Sequence, residues 1–183
     1  MSHQTPDGPM IAKGIETMTS HQGSTQLLDE PLAQELLQSK LPAYLAYNCH
    51  DNSPRLIPIG FHWNDREIVL CSPPDAPKMR VLQDGIKVAL TITSERTPMQ
   101  VLSIRGSVRV ELVEGMPPEY VAMTERTSGK EHAGTWLTQA GRMWPVMVRI
   151  FVQPEWVGLI DFETRFPSAV EHGQARIEQA QVT

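Results

Sequence analysis

Between Ala43 and Phe162 the chain breaks into short apolar runs separated by turn clusters, a strand-and-hairpin rhythm. AYLAYNC (Ala43–Cys49) predicts a strand, and the HDNSP cluster (His50–Pro54) predicts a turn. RLIPIGFHW (Arg55–Trp63) then predicts a second strand, and EIVLCS (Glu67–Ser72) a third. KVALTITS (Lys87–Ser94) and QVLSIRGSVRVEL (Gln100–Leu112) are β-branched strands, and MVRIFV (Met147–Val152) and EWVGLIDF (Glu155–Phe162) close the series. Pro58 donates no ladder hydrogen bond, so its strand belongs at a sheet edge or at a bulge. Gly60 admits close approach by a backbone or a ligand.

Helical spacing appears in four places. Leu32, Leu36 and Leu37 define a helix starting near Pro31 and stopped by Pro42. Asp75 as N-cap, Pro77 in the first turn and Gly85 as C′ residue predict a short helix with Met79 and Leu82 facing a core. MPPEYVAMTERT (Met116–Thr127) and EHAGTWLTQAG (Glu131–Gly141) predict two more, the latter closed by Gly141. Strands and helices do not alternate, which favours an antiparallel barrel over a doubly wound sheet. The fold class is therefore mainly β (α+β): a split β-barrel of six or seven antiparallel strands with two or three appended helices. Residues 1–25 are assigned to a flexible polar tail, 26–166 to the barrel domain and 167–183 to a second polar tail, which has room for a short terminal helix with little to bury.

Composition narrows the function. The 183 residues carry 16 basic and 21 acidic side chains, net charge −5, with no like-charged run. Nucleic acid and anionic membranes are therefore poor partners, whereas a local basic site for one small anion is compatible. The two cysteines, Cys49 and Cys71, form neither a disulfide framework nor a zinc motif, and the six histidines do not cluster, so no metal site is assigned. No signal peptide or membrane span is legible, and the expected location is cytoplasmic.

The chemistry concentrates between Pro54 and Gly85. Arg55, Ser72 and Lys78 can converge on the mouth of the short helix. A lysine in a first turn opposes the helix dipole unless an anion binds there, so the pattern points to a phosphate. Taken singly, Lys78 reads equally as a solvated lysine, Arg55 as an exposed strand end and Ser72 as a turn residue. Gln100 and Arg105 fall on opposite strand faces unless a bulge intervenes, and Arg105 reads equally as an ion-pair partner. Cys71 reads as a small core residue, and Trp136, Trp144 and Trp156 as packing residues. No side chain is singled out as a general acid or base.

Together these segments, over about Leu32 to Phe162, resemble the pyridoxamine 5′-phosphate oxidase-like FMN-binding split-barrel family. The resemblance implies a homodimer with FMN in the cleft between subunits, acting as an oxidoreductase on a small-molecule substrate. It implies that Arg55 and Lys78 bind the phosphate and that the Leu56, Ile57 and Pro58 backbone passes along the flavin ring. Cys71 and Ser72 would lie beside the ribityl-phosphate, and Gln100 would reach the cofactor from the partner subunit. The chain departs from the oxidases at Ala76-Pro77, where a basic pair is usual, and lacks their C-terminal arginine and histidine motif. Those departures disfavour vitamin-phosphate oxidation. They leave open a deazaflavin reductase of the same fold, or a non-catalytic flavin or haem binder with His50, His62 or His132 as axial ligand.

Overall fold

The computed structural model describes residues 21–181. Seven antiparallel strands form one sheet: β1 (Ala43–Asn48), β2 (Pro54–Ile59), β3 (Phe61–Trp63), β4 (Ile68–Ser72), β5 (Lys87–Thr93), β6 (Val101–Glu114) and β7 (Val146–Ile160). Their order is β2-β1-β5-β6-β7-β4-β3. The two edges, β2 and β3, are consecutive in sequence and separated by Gly60 alone. A sheet whose opposite edges are joined by one residue has to curl, and the result is a half-barrel. RLIPIGFHW, which reads as one strand, is therefore two, cut at the residue that turns the chain from one edge to the other. Pro58 lies on edge strand β2, where its missing N–H costs no ladder bond.

Alternation sets the layers. Leu45, Phe61, Leu70, Leu90, Leu102, Ile104 and Ile150 turn inward and are almost wholly buried. Helix α1 (Pro31–Gln38) adds Ala33, Leu36 and Leu37 to this core, the i, i+3, i+4 face of the expected helix. Four α-helices and two 3-10 turns accompany the sheet among the described residues, more than the two or three helices the sequence predicts. Helix α2 (Pro118–Ser128) lies against β3 and β4, and α3 (Lys130–Met143) packs on α2. Gly141 lies within α3 and does not close it.

The segments expected as MVRIFV and EWVGLIDF are one strand, β7, because Pro154 falls at a bulge. Arg105 pairs with Trp156 but Gly106 with Pro154, so Glu155 is the extra residue on β7. A Cβ on Gly106 would lie 2.0 Å from the Gln153 carbonyl oxygen, so glycine is required opposite the bulge.

The tail assigned to residues 1–25 lies outside the described residues up to position 20. Beyond that it is docked: the Gln22 side-chain amide donates to the Leu159 carbonyl and accepts from the Leu159 N–H at 2.9 Å. The Gly23 N–H donates to the Val157 carbonyl at 2.7 Å. The stretch assigned as the polar tail 167–183 carries a helix, α4 (Ser168–Gln181), with Ile177 exposed.

Candidate functional site

β1 and β2 form the hairpin that presents the first group of candidate residues. Arg55 is opposite Tyr47, Ile57 opposite Leu45 and Pro58 opposite Tyr44. Antiparallel partners share a face, so Arg55 and Ile57 lie on the side of buried Tyr47 and Leu45, Ile57 half-buried and Arg55 still exposed near the strand end. Leu56 and Pro58 turn outward, with Leu56 64% exposed.

Lys78 comes from the other side of the site. The helix expected from Asp75 to Gly85 is a single 3-10 turn, Pro77–Arg80, with Ala76 at its N-cap and no side-chain cap. The chain after it is recruited by β6: Asp84 Oδ1 accepts from the Val110 N–H at 2.7 Å, and the Gly85 N–H donates to the Val108 carbonyl at 2.8 Å. That pairing consumes the residues a longer helix would need. One short turn carries little macrodipole, so the case for an anion passes from the helix to the cations themselves.

Those cations are close together and uncompensated. Lys78 is half-buried, and burial pushes its ammonium below the usual lysine range. The Arg55 guanidinium beside it pushes the same way. Neither residue forms an ion pair with a carboxylate among the described residues. The turn is held against the β1–β2 hairpin by a 3.0 Å hydrogen bond between His50 Nε2 and the Arg80 carbonyl oxygen.

Tyr47 completes the cluster. It is 4% exposed, and its hydroxyl is buried with no hydrogen-bond partner. Burial raises the phenol's pKa while the charge of Arg55 draws it down. A buried hydroxyl without a partner is costly unless a ligand supplies one. Sequence reading passed over this residue, although the short hairpin that places a tyrosine opposite Arg55 was a usable signal.

The remaining candidates divide. Ser72 is wholly buried and its hydroxyl donates to the Pro73 carbonyl at 3.1 Å. Cys71, one residue earlier, turns to the opposite face under α2. Burial, reinforced by Glu119, pushes its thiol up to about 12, so it is a neutral packing group at physiological pH. Gln100 is 8% exposed and stands just beyond the Thr93–Val101 pair, whereas Arg55 is level with Val88. About six residues of strand at roughly 3.3 Å each separate the two levels, about 20 Å. Within one chain the structure therefore gathers Arg55, Lys78 and Tyr47 and leaves Gln100 apart from them.

Of the histidines considered for haem, His50 is committed to Arg80. His62 lies on β3 with its Nδ1 buried and unpartnered, and His132 is exposed on α3. No group of three or more histidine, cysteine or acidic side chains could hold a metal ion among the described residues. Likewise, no described helix is long and apolar enough to cross a membrane.

No family model matches the sequence, and no curated protein matches it. Solved structures do match. An F420 reductase aligns with 68% of this chain and 94% of its own at 19% identity, TM-score 0.53. A conserved hypothetical protein from Mycobacterium tuberculosis aligns over 70% and 82%, at 19% identity and TM-score 0.55. HutZ, the heme storage protein from Vibrio cholerae, aligns over 72% and 93%, at 18% identity and TM-score 0.51. At such identities the likeness is one of fold.

Proposed function

The chain has the pyridoxamine 5′-phosphate oxidase-like split-barrel fold, and on that premise we propose that it is an FMN-binding oxidoreductase. The observation that carries the reading is the Arg55–Lys78 pair, two adjacent cations without a counter-ion, beside the orphaned Tyr47 hydroxyl. A phosphate monoester supplies what all three lack: negative charge for the cations and an acceptor oxygen for the phenol. When bound, the flavin supplies hydride and electron transfer. The protein's part is to fix it: Arg55, Lys78 and Tyr47 hold the phosphate end, and the Leu56–Pro58 backbone flanks the ring. Ser72 supports the site from β4, whereas Cys71 packs on the opposite face under α2.

The reading includes a cytoplasmic homodimer acting on a small-molecule substrate, with Gln100 delivered by the second copy. The outward face of β2 and β1 favours this, since Leu56 and Tyr44 lie exposed there and Met99 is exposed beside the β5–β6 turn. A second reading keeps the site and exchanges FMN for a deazaflavin, favoured by the likeness to an F420 reductase. A phosphate-bearing deazaflavin would use the same cations, and the cofactor that raises the melting temperature more at equal concentration distinguishes the two.

The test is the visible spectrum of the purified protein and of its supernatant after heat denaturation, with the Arg55→Ala/Lys78→Ala double variant alongside. Twin flavin bands released from the native protein are expected. Each lost charge-assisted hydrogen bond is worth about 1.5–3 kcal/mol, so the double variant should bind FMN at least about 100-fold more weakly. A folded double variant that retains its flavin would refute the assignment.

A further inference from the structure

Arg105 is the basic residue that the cofactor reading leaves unused. On the same β6–β7 strand pair, Arg109 and Arg149 pair with Glu67, Glu111 and Glu119. Arg105 has no carboxylate partner among the described residues. Its guanidinium carbon lies 4.2 Å from the centroid of the Trp156 ring. Stacking of this kind holds the guanidinium plane and leaves its N–H donors uncommitted.

This arrangement is built into the sheet. Across an ordinary pair of neighbours on β7, Glu155 and Trp156 would face opposite sides. The bulge opposite Gly106 brings both to the outer face, Trp156 beneath Arg105 and Glu155 toward Lys87. Lys87 Nζ lies 2.7 Å from both Glu155 carboxylate oxygens, so those two charges cancel. The uncancelled charge is the single positive one on Arg105.

Arg105, Lys87 and Glu155 line a recess of about 420 Å³, with Asn48 as a further polar group and Ala46 and Ala89 in its floor. The volume falls in the range of small-molecule sites. We propose that this recess binds a compact planar organic acid, its carboxylate held by the fork of Arg105 and its ring laid on the apolar floor. One guanidinium matches one carboxylate in charge and geometry, whereas a phosphate dianion would require further cations. A cationic ligand would find only Glu155, which Lys87 already neutralises. The recess borders the proposed cofactor site at Tyr47, but neither Arg55 nor Lys78 lines it.

The experiment is a titration of the ¹⁵N-labelled full chain with benzoate, following the Trp156 indole N–H resonance, with benzamide as the neutral isostere. A saturable shift is expected with benzoate, with benzamide binding at least tenfold more weakly. Arg105→Gln should weaken benzoate at least tenfold. The Arg55→Ala/Lys78→Ala variant should bind benzoate like the native protein, so failure of the cofactor reading and failure of this one are read separately. Absence of a saturable shift, equal binding of benzamide, or undiminished binding by folded Arg105→Gln would each overturn the proposal.

Discussion

Tyr47 shows how a single residue separates stability from function. Its hydroxyl is buried without a partner, so removing it should relieve a desolvation penalty. Tyr47→Phe is therefore expected to stabilise the cofactor-free protein by about 1 kcal/mol, read as a rise in melting temperature, while weakening FMN binding severalfold in a fluorescence titration. A variant that loses stability without losing affinity would make the hydroxyl a structural group. The other candidates show what residue types reveal on their own. Arg55 and Lys78 were legible because charges near a turn invite an anion. Ser72 and Cys71 are neighbours whose side chains take opposite faces, one wholly inside the barrel and one under a helix, and a strand read in isolation does not say what covers it. Arg105 stayed ambiguous because its stacking partner, Trp156, is fifty-one positions away in sequence.

At the scale of elements, α2 rests on a charged layer. Arg149 pairs with Glu119 and, at 3.3 Å, with Glu111, while Arg126 donates to the Phe61 carbonyl. His62 lies in this layer, and burial holds its imidazole below the usual histidine range, Arg126 pressing the same way against the weaker opposing pull of Glu119 and Asp65. The folded state thus favours neutral His62. That contribution to stability is complete above the unfolded pKa of about 6.5 and is lost as pH falls through the lower folded value. Between pH 7 and pH 5 the melting temperature should therefore fall further in the native protein than in His62→Asn; an equal fall would remove the histidine from the account. Most strands were legible from alternation and turn residues. Their breaks were less so: Gly60 cuts an apolar run that looks continuous, and Pro154 fails to cut one that looks interrupted. In both cases the deciding atoms belong to a distant strand or to the sheet's curvature. The expected Asp75–Gly85 helix failed similarly, because β6 competes for its last residues.

For the whole molecule, hairpin neighbours such as β1–β2 and β5–β6 follow from short turns, but the pairings β1–β5 and β4–β7 do not. Alternation reveals which face of a strand is buried and is silent on which strand lies beside it. Assembly follows from what the fold leaves uncovered. Gln100 is about 20 Å of strand from Arg55, so the proposed site would take its Gln100 from a second copy, and exposed Leu56 lies on the face proposed to receive it. Leu56→Asp is expected to shift the protein from dimer to monomer in sedimentation velocity, with loss of bound flavin. A dimer unchanged by this substitution would place the interface elsewhere.

The seam of the half-barrel has a mechanical consequence. Its two lips are the arms of one ten-residue segment, Pro54–Trp63, clipped together at Gly60. The clip is itself clamped, since a side chain at Gly60 would strike Met123 of α2 and the next carbonyl is gripped by Arg126. Away from that end no ladder hydrogen bonds tie the lips together. A load applied to the β2 lip would therefore reach the helical cover through Gly60, and any opening of the half-barrel would hinge under α2.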